Sequence, residues 1–338
     1  MSYSNIEHWQ KFYEFCYYEK LAGGPDPHMA CVGAAARLRG MSWDESAWLG
    51  ALYASVYNVP TALALHSRFP TPDHALDQGE VEEWLRANWA GIAFRRERKA
   101  VRSPIKLARC LTSFAEFCDP ERLEATVASW KDIASPVARF ETAFEDVCSI
   151  YGIGRYIGQK FIEYGRRYCD FQTQVHDIRA KDGWSPRASL ALLAPEHAEL
   201  LIDGGDSPET VRTVEAIATQ AREQLSTIYG LDLDYYELQV LLCDYKQSAV
   251  GRRQYPGRSQ DSELDYDVKI APHWGTKHTE MYDVRRAIFP SWALGEHSGW
   301  DGVRKELGGV LVDHGYTWSD ALYDYHQSKN NLSTPAPK

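Results

Sequence analysis

Proline fits an α-helix without loss only in the first turn, where its missing N–H has no intrahelical partner. This chain sets that signal again and again. Ser-Pro pairs stand at Ser103-Pro104, Ser135-Pro136, Ser185-Pro186 and Ser207-Pro208, and Asp119-Pro120-Glu121 repeats the pattern with an aspartate. In each, a short polar side chain can cap an open amide while proline presets the first helical φ. Ser42-Trp43-Asp44-Glu45 reads as a capping box, with Trp48, Leu49, Leu52, Tyr53, Val56 and Tyr57 following at helical spacing. From Pro208 to Tyr229, the residues Val211, Val214, Ile217, Ala218, Ala221 and Leu225 share one helical face. No sustained period-two alternation competes with these signals, and no repeat of solenoid length is present. The expected fold is all-α.

A chain of 338 residues with 44% hydrophobic and 25% charged residues can bury a core. It holds no apolar run long enough to span a bilayer. Residues 1–20 lack the basic start and apolar stretch of a secretory signal. Seven cysteines, odd in number and never in a CxxC pair, point to reduced thiols and a cytoplasmic chain. Three consecutive segments are expected: an N-terminal helical unit over 1–130, a second unit over 131–232, and loops and helices over 233–327. A polar, disordered tail follows over 328–338.

The stretch from Ile150 to Arg179 carries the first chemical signal. Gly152 and Gly154 make a G-x-G hairpin after the helix predicted from Pro136, and Gly158 allows the next helix to pack closely. Amides exposed by such a hairpin, at a helix N-terminus, hold a DNA phosphate without reading sequence. Gly152, Gly154, Arg155, Gly158 and Lys160 are therefore the candidate DNA contacts. The pattern resembles the helix-hairpin-helix motif of base-excision DNA glycosylases. The resemblance implies a functional aspartate just over twenty residues after the second glycine, and Asp177 stands there. Bifunctional members carry a lysine two residues after that glycine. Tyr156 occupies this position, which disfavours Schiff-base chemistry.

The formal charge of −10 argues against a protein that coats nucleic acid, so local basic patches matter more. Arg95, Arg96, Arg98, Lys99, Arg102, Lys106 and Arg109 face a single acid, Glu97, between 95 and 109. Forked guanidinium donors match phosphate oxygens. A second basic-aromatic stretch holds Lys246, Arg252, Arg253, Tyr255 and Arg258, a combination suited to phosphates and stacked bases. The acids Asp261, Glu263, Asp265 and Asp267 beyond it could receive a cationic amine and form a poor metal ligand set. Gly23-Gly24-Pro25-Asp26-Pro27-His28 offers Asp26 or His28 as a general base, and Glu237 is a further candidate. No Walker, Rossmann or nucleophile-elbow motif is present, and neither cofactor nor metal is expected.

Several short blocks then converge on one family. They are 24–28, 48–53 with 57–62, the basic block from Arg95 through Lys106, the hairpin, Gly183-Trp184-Ser185-Pro186, and Leu242-Cys243-Asp244-Tyr245-Lys246. Together they resemble the phage thymine-hypermodification enzymes called alpha-glutamyl/putrescinyl thymine pyrophosphorylases or amino acid:DNA transferases, over roughly residues 10–270. The resemblance implies a helix-hairpin-helix glycosylase-like fold and double-stranded DNA carrying a modified thymine as substrate. It also implies transfer of a small amine, either an amino acid such as glycine or glutamate, or putrescine, to the base's exocyclic methylene with release of pyrophosphate. On that reading the 95–106 and 246–258 cations bind pyrophosphate and Asp177 accepts a proton. The alternatives are a monofunctional glycosylase using Asp177 and a non-catalytic DNA-binding module.

Overall fold

The computed structural model of the protein describes residues 3–21, 24, 26–179, 184–249, 271–274, 283–284 and 287–288. Among these, every regular element is helical. In chain order the α-helices are α1 (Tyr3–Leu21), α2 (Pro27–Leu38), α3 (Trp43–Val56), α4 (Val59–Arg68), α5 (Gln78–Asn88), α6 (Pro104–Phe117), α7 (Pro120–Lys131), α8 (Pro136–Cys148), α9 (Arg155–Tyr168), α10 (Trp184–Leu193), α11 (Ala198–Asp203), α12 (Pro208–Tyr229) and α13 (Tyr235–Ala249). Short 3-10 turns lie between some of them, including Arg96–Val101, and another, Ala271–Trp274, follows α13.

The helix starts form as the sequence predicts. The hydroxyls of Ser103, Ser135 and Ser207 accept the amides of Lys106, Ala138 and Thr210, and the Asp119 carboxylate accepts that of Arg122. At the Ser42 start, Glu45 accepts the Ser42 amide at 2.8 Å while the Ser42 hydroxyl turns to Asp44. Ser185 departs from the pattern, because α10 already begins at Trp184. Its proline still falls in the first turn, where no intrahelical bond is lost.

The described residues form two compact units, each assembled from separated stretches of sequence. Among the described residues, one unit joins those of 3–27 to those of 177–249, and the other joins 28–176 to 271–274, 283–284 and 287–288.

In the second unit α3 is the central helix. All its residues from Ser46 to Val56 are buried, as a helix walled by neighbours requires. It packs on α4, α6 and α9. Trp48 donates to the Phe69 carbonyl at 2.7 Å, which satisfies its indole within the core. In the first unit α10 lies against α13 and α11. The Ser189 hydroxyl bonds the Leu242 carbonyl, and Tyr245 meets Phe12 edge-on at 5.1 Å. The candidate residues Arg252, Arg253, Tyr255 and Arg258, the acids at 261–267 and the tail at 328–338 lie outside the described residues.

Candidate functional site

Helices α8 and α9 are joined by residues 149–154. Gly152 sits at φ +77°, a conformation that a side chain resists, and a Cβ there would stand 2.6 Å from Val101. Ile150 and Ile153 point inward, and the Ile153 amide closes the turn on the Ile150 carbonyl at 3.0 Å. The Tyr151 amide donates to Ser113 of α6 at 3.1 Å. Gly158 allows the tight crossing expected of it, because a Cβ would stand 2.8 Å from the Cys148 sulfur. Gly154 is different. Its φ of −94° suits any residue, and no described atom lies within 4 Å of where its Cβ would be. Nothing inside the described protein explains this glycine, while the first amides of α9 open directly beyond it.

Arg98, expected as an anion contact, is placed in the interior at 2% exposure. Its Nε donates to the Ser55 carbonyl and its Nη1 to the Gly152 carbonyl, both at 2.9 Å. Its geometry is that of a brace beneath the hairpin.

Around the start of α9 the structure gathers side chains from four elements of this unit. His28 opens α2 and is 2% exposed, and its Nε2 lies 2.8 Å from Arg95 Nη1. A guanidinium has no acceptor, so Nε2 contributes the lone pair and the imidazole hydrogen sits on Nδ1. The Arg95 guanidinium lies 5.8 Å from the ring centroid of Tyr57, and the Tyr57 hydroxyl pairs with that of Tyr156 at 3.2 Å. One turn further along α9, the Lys160 ammonium stands 5.5 Å from the Tyr156 ring centroid. Lys160 is buried at 6% exposure, whereas Tyr156 is 46% exposed and brings the cluster to the surface.

The remaining cations are spread over the exterior of the same unit. Lys99, Arg102, Lys106, Arg109 and Arg155 are all exposed. Arg102 donates to the Arg95 carbonyl at 2.7 Å, Arg109 stacks on Tyr151 at 4.1 Å, and Arg155 covers Phe144 at 4.9 Å. Arg96 begins a 3-10 turn, and its side chain lies outside the described residues.

A family model described as amino acid:DNA transferase matches residues 28–254, a span that holds the hairpin, the cluster and Asp177. The chain belongs to the amino acid:DNA transferase family. Comparison with curated proteins and with solved structures finds no match. No helix among the described residues of this transferase is long and apolar enough to cross a membrane.

The other unit of the transferase holds the acidic candidates. Asp177 accepts the Arg179 amide at 2.8 Å, in a turn where Arg179 takes φ +53°. Next to it, Glu215 of α12 reaches the Ile178 amide through a long contact of 3.5 Å. Its second oxygen is buried without a hydrogen-bond partner. Burial, and then the Asp177 charge, push the Glu215 carboxyl up to about 7. Glu215 escaped the sequence reading, because only the fold brings α12 against residue 177. Asp26 accepts the Tyr236 hydroxyl at 2.6 Å. Glu237 pairs with Lys20, and its amide donates to Asp234 at 2.7 Å, a helix-start arrangement. Lys246 is half-buried near the end of α13.

Proposed function

We propose that this transferase joins an amine, an amino acid or putrescine, to the exocyclic methylene of a pyrophosphorylated hydroxymethyluracil in DNA. The amine nitrogen forms a bond to the methylene carbon. The bond from that carbon to the bridging oxygen breaks, and its electron pair leaves with inorganic pyrophosphate. The attacking ammonium must first lose a proton, since only the free amine carries a lone pair. Asp177 is the acceptor on this reading, with Glu215 as its carboxyl neighbour. The hairpin, with Gly154 and the opening amides of α9, holds a DNA phosphate, and the exposed cations Lys99, Arg102, Lys106, Arg109 and Arg155 add attraction for the strand.

One observation carries the reading. Tyr156 and Lys160 belong to the very helix that begins at Gly154, two and six residues on, and the first joins a cluster with Tyr57, Arg95 and His28. DNA seated on the hairpin amides therefore lies within the first turns of a helix that leads to a cationic, aromatic cluster. Such a cluster suits a flipped base bearing an anionic leaving group.

The test is incubation with DNA containing 5-pyrophosphoryloxymethyluracil and candidate amines, followed by mass spectrometry of the nucleosides and assay of pyrophosphate. A nucleoside with the mass of hydroxymethyldeoxyuridine plus the amine minus one water, with one pyrophosphate released per adduct, is expected. Alkali-labile sites without pyrophosphate would instead make the protein a glycosylase.

A further inference from the structure

Helix α6 starts behind its Ser103 cap, and its first turns have two distinct sides. Leu107, Ala108, Cys110 and Leu111 are buried, whereas Ile105, Lys106 and Arg109 are exposed. Arg102, exposed just before the cap, extends the outer side. Among the described residues, Arg102, Lys106 and Arg109 make no ion pair. Other surface cations of the same unit do: Arg68 meets Glu80 at 2.6 Å, and Lys131 meets Asp170 at 2.8 Å. In a chain of formal charge −10, cations left without an acid along one side of a helix make a local excess that draws anions.

This side of α6 leads to the hairpin. Its next outward position, Ser113, accepts the Tyr151 amide at 3.1 Å, and Arg109 stacks on the Tyr151 ring at 4.1 Å. The stripe and the turn before α9 are thus tied by side-chain contacts across 38 positions of sequence. Cations on successive turns, each turn about 5.4 Å long, suit a partner whose negative charges repeat in a line, as a polynucleotide backbone's do. Ile105, 50% exposed, sits among them. An apolar side chain between cations matches the deoxyribose that separates neighbouring phosphates.

We infer that Arg102, Ile105, Lys106 and Arg109 form a stripe that carries the DNA strand from the hairpin along the outer side of α6. The stripe presupposes the hairpin contact of the proposed reading and extends it. Each cation neutralises a phosphate and displaces its counterions, while Ile105 packs on the sugar. Arg102 uses one nitrogen on the Arg95 carbonyl at 2.7 Å, which fixes its fork and keeps the other nitrogens for the strand.

The experiment follows the anisotropy of a labelled duplex of ordinary thymine-containing DNA with the full-length protein, over a series of salt concentrations. Melting curves confirm the fold of each variant. Lys106→Gln and Arg109→Gln each weaken binding about fivefold to tenfold and reduce the slope of log affinity against log salt by about one, the share of a single phosphate. Ile105→Ser weakens binding about threefold with the slope unchanged. Arg122→Gln, which removes the same charge from exposed Arg122 of α7, changes neither. If Arg109→Gln does not fold, Lys106→Gln decides. A parent that ignores the duplex at low salt, folded α6 variants with parent affinity and slope, or an equal loss in Arg122→Gln overturns the stripe. Polyglutamate bound as tightly as the duplex also overturns it, by making the stripe a general anion surface. Stripe-dependent DNA binding by a parent that forms no amine adduct retains the stripe and removes the transfer reading. Adducts from a parent whose α6 variants bind DNA unchanged do the reverse.

Discussion

Arg98 donates to the Gly152 carbonyl at 2.9 Å across 54 positions of sequence, and so ties the hairpin to the core beneath it. Replacing Arg98 with methionine leaves the buried Ser55 carbonyl and the half-buried Gly152 carbonyl without their donor. We expect a loss of about 3 kcal/mol, since each orphaned acceptor costs roughly 1–3 kcal/mol. Urea denaturation measures it, and DNA affinity should fall in the same variant because the hairpin loosens. An unchanged midpoint would show that the guanidinium does not brace this turn.

Gly152 and Gly154 should separate folding from DNA binding. Gly152→Ala meets both a positive φ and Val101 at 2.6 Å, so it should destabilise by about 1–3 kcal/mol. Gly154→Ala meets no described atom and an ordinary φ, so melting should barely change. On the proposed reading, its new methyl group would stand where a phosphate approaches the α9 amides. DNA affinity, read by fluorescence anisotropy, should drop about tenfold or more, a contact loss of about 1.4 kcal/mol. Equal affinity in Gly154→Ala would remove the hairpin from the DNA contact.

Glu215 makes stability depend on pH. The folded protein holds its proton up to about 7, against 4.5 for an ordinary glutamate. The resulting stabilisation is complete below 4.5 and is lost as pH rises through about 7. Glu215→Gln mimics the protonated form. It should melt with the parent at low pH and above it, by about 2–4 °C, in mildly alkaline buffer. Parallel melting curves for the two proteins across that range would mean that Glu215 titrates normally.

Asp177→Asn retains an oxygen to accept the Arg179 amide and loses the charge and basicity. Turnover should fall by about 10²–10⁴, the usual span for a general base, with melting nearly unchanged. A lowered melting temperature with full activity would reduce Asp177 to a turn-former and move the base to Glu215 or Asp26.

The helix starts were legible because capping is local. Ser103, Ser135 and Ser207 each act on an amide three residues away, within the reach of a sequence pattern. Arg98 was not legible. In the sequence it is one cation in a basic run, and only the path of α3 and the hairpin shows carbonyls waiting for it. His28 and Arg95 were each visible, but their pairing spans 67 positions. Tyr57 read as a core residue by its period, and its left-handed backbone appears only in three dimensions. Glu215 sat on the amphipathic helix as one polar residue among several, and burial against residue 177 gave it chemistry.

The interleaving of the two units sets an order of events on the ribosome. Helices α2 to α9 are contiguous, so their unit can begin to assemble while synthesis continues. Helix α1 is made before them, yet its partners α10, α12 and α13 follow only between residues 184 and 249. At about 5–20 residues per second, α1 waits on the order of ten to fifty seconds. Phe12, Phe15 and Cys16, all fully buried in the finished protein, stay uncovered for that interval. The nascent chain therefore carries these apolar side chains without their final cover until the later helices emerge.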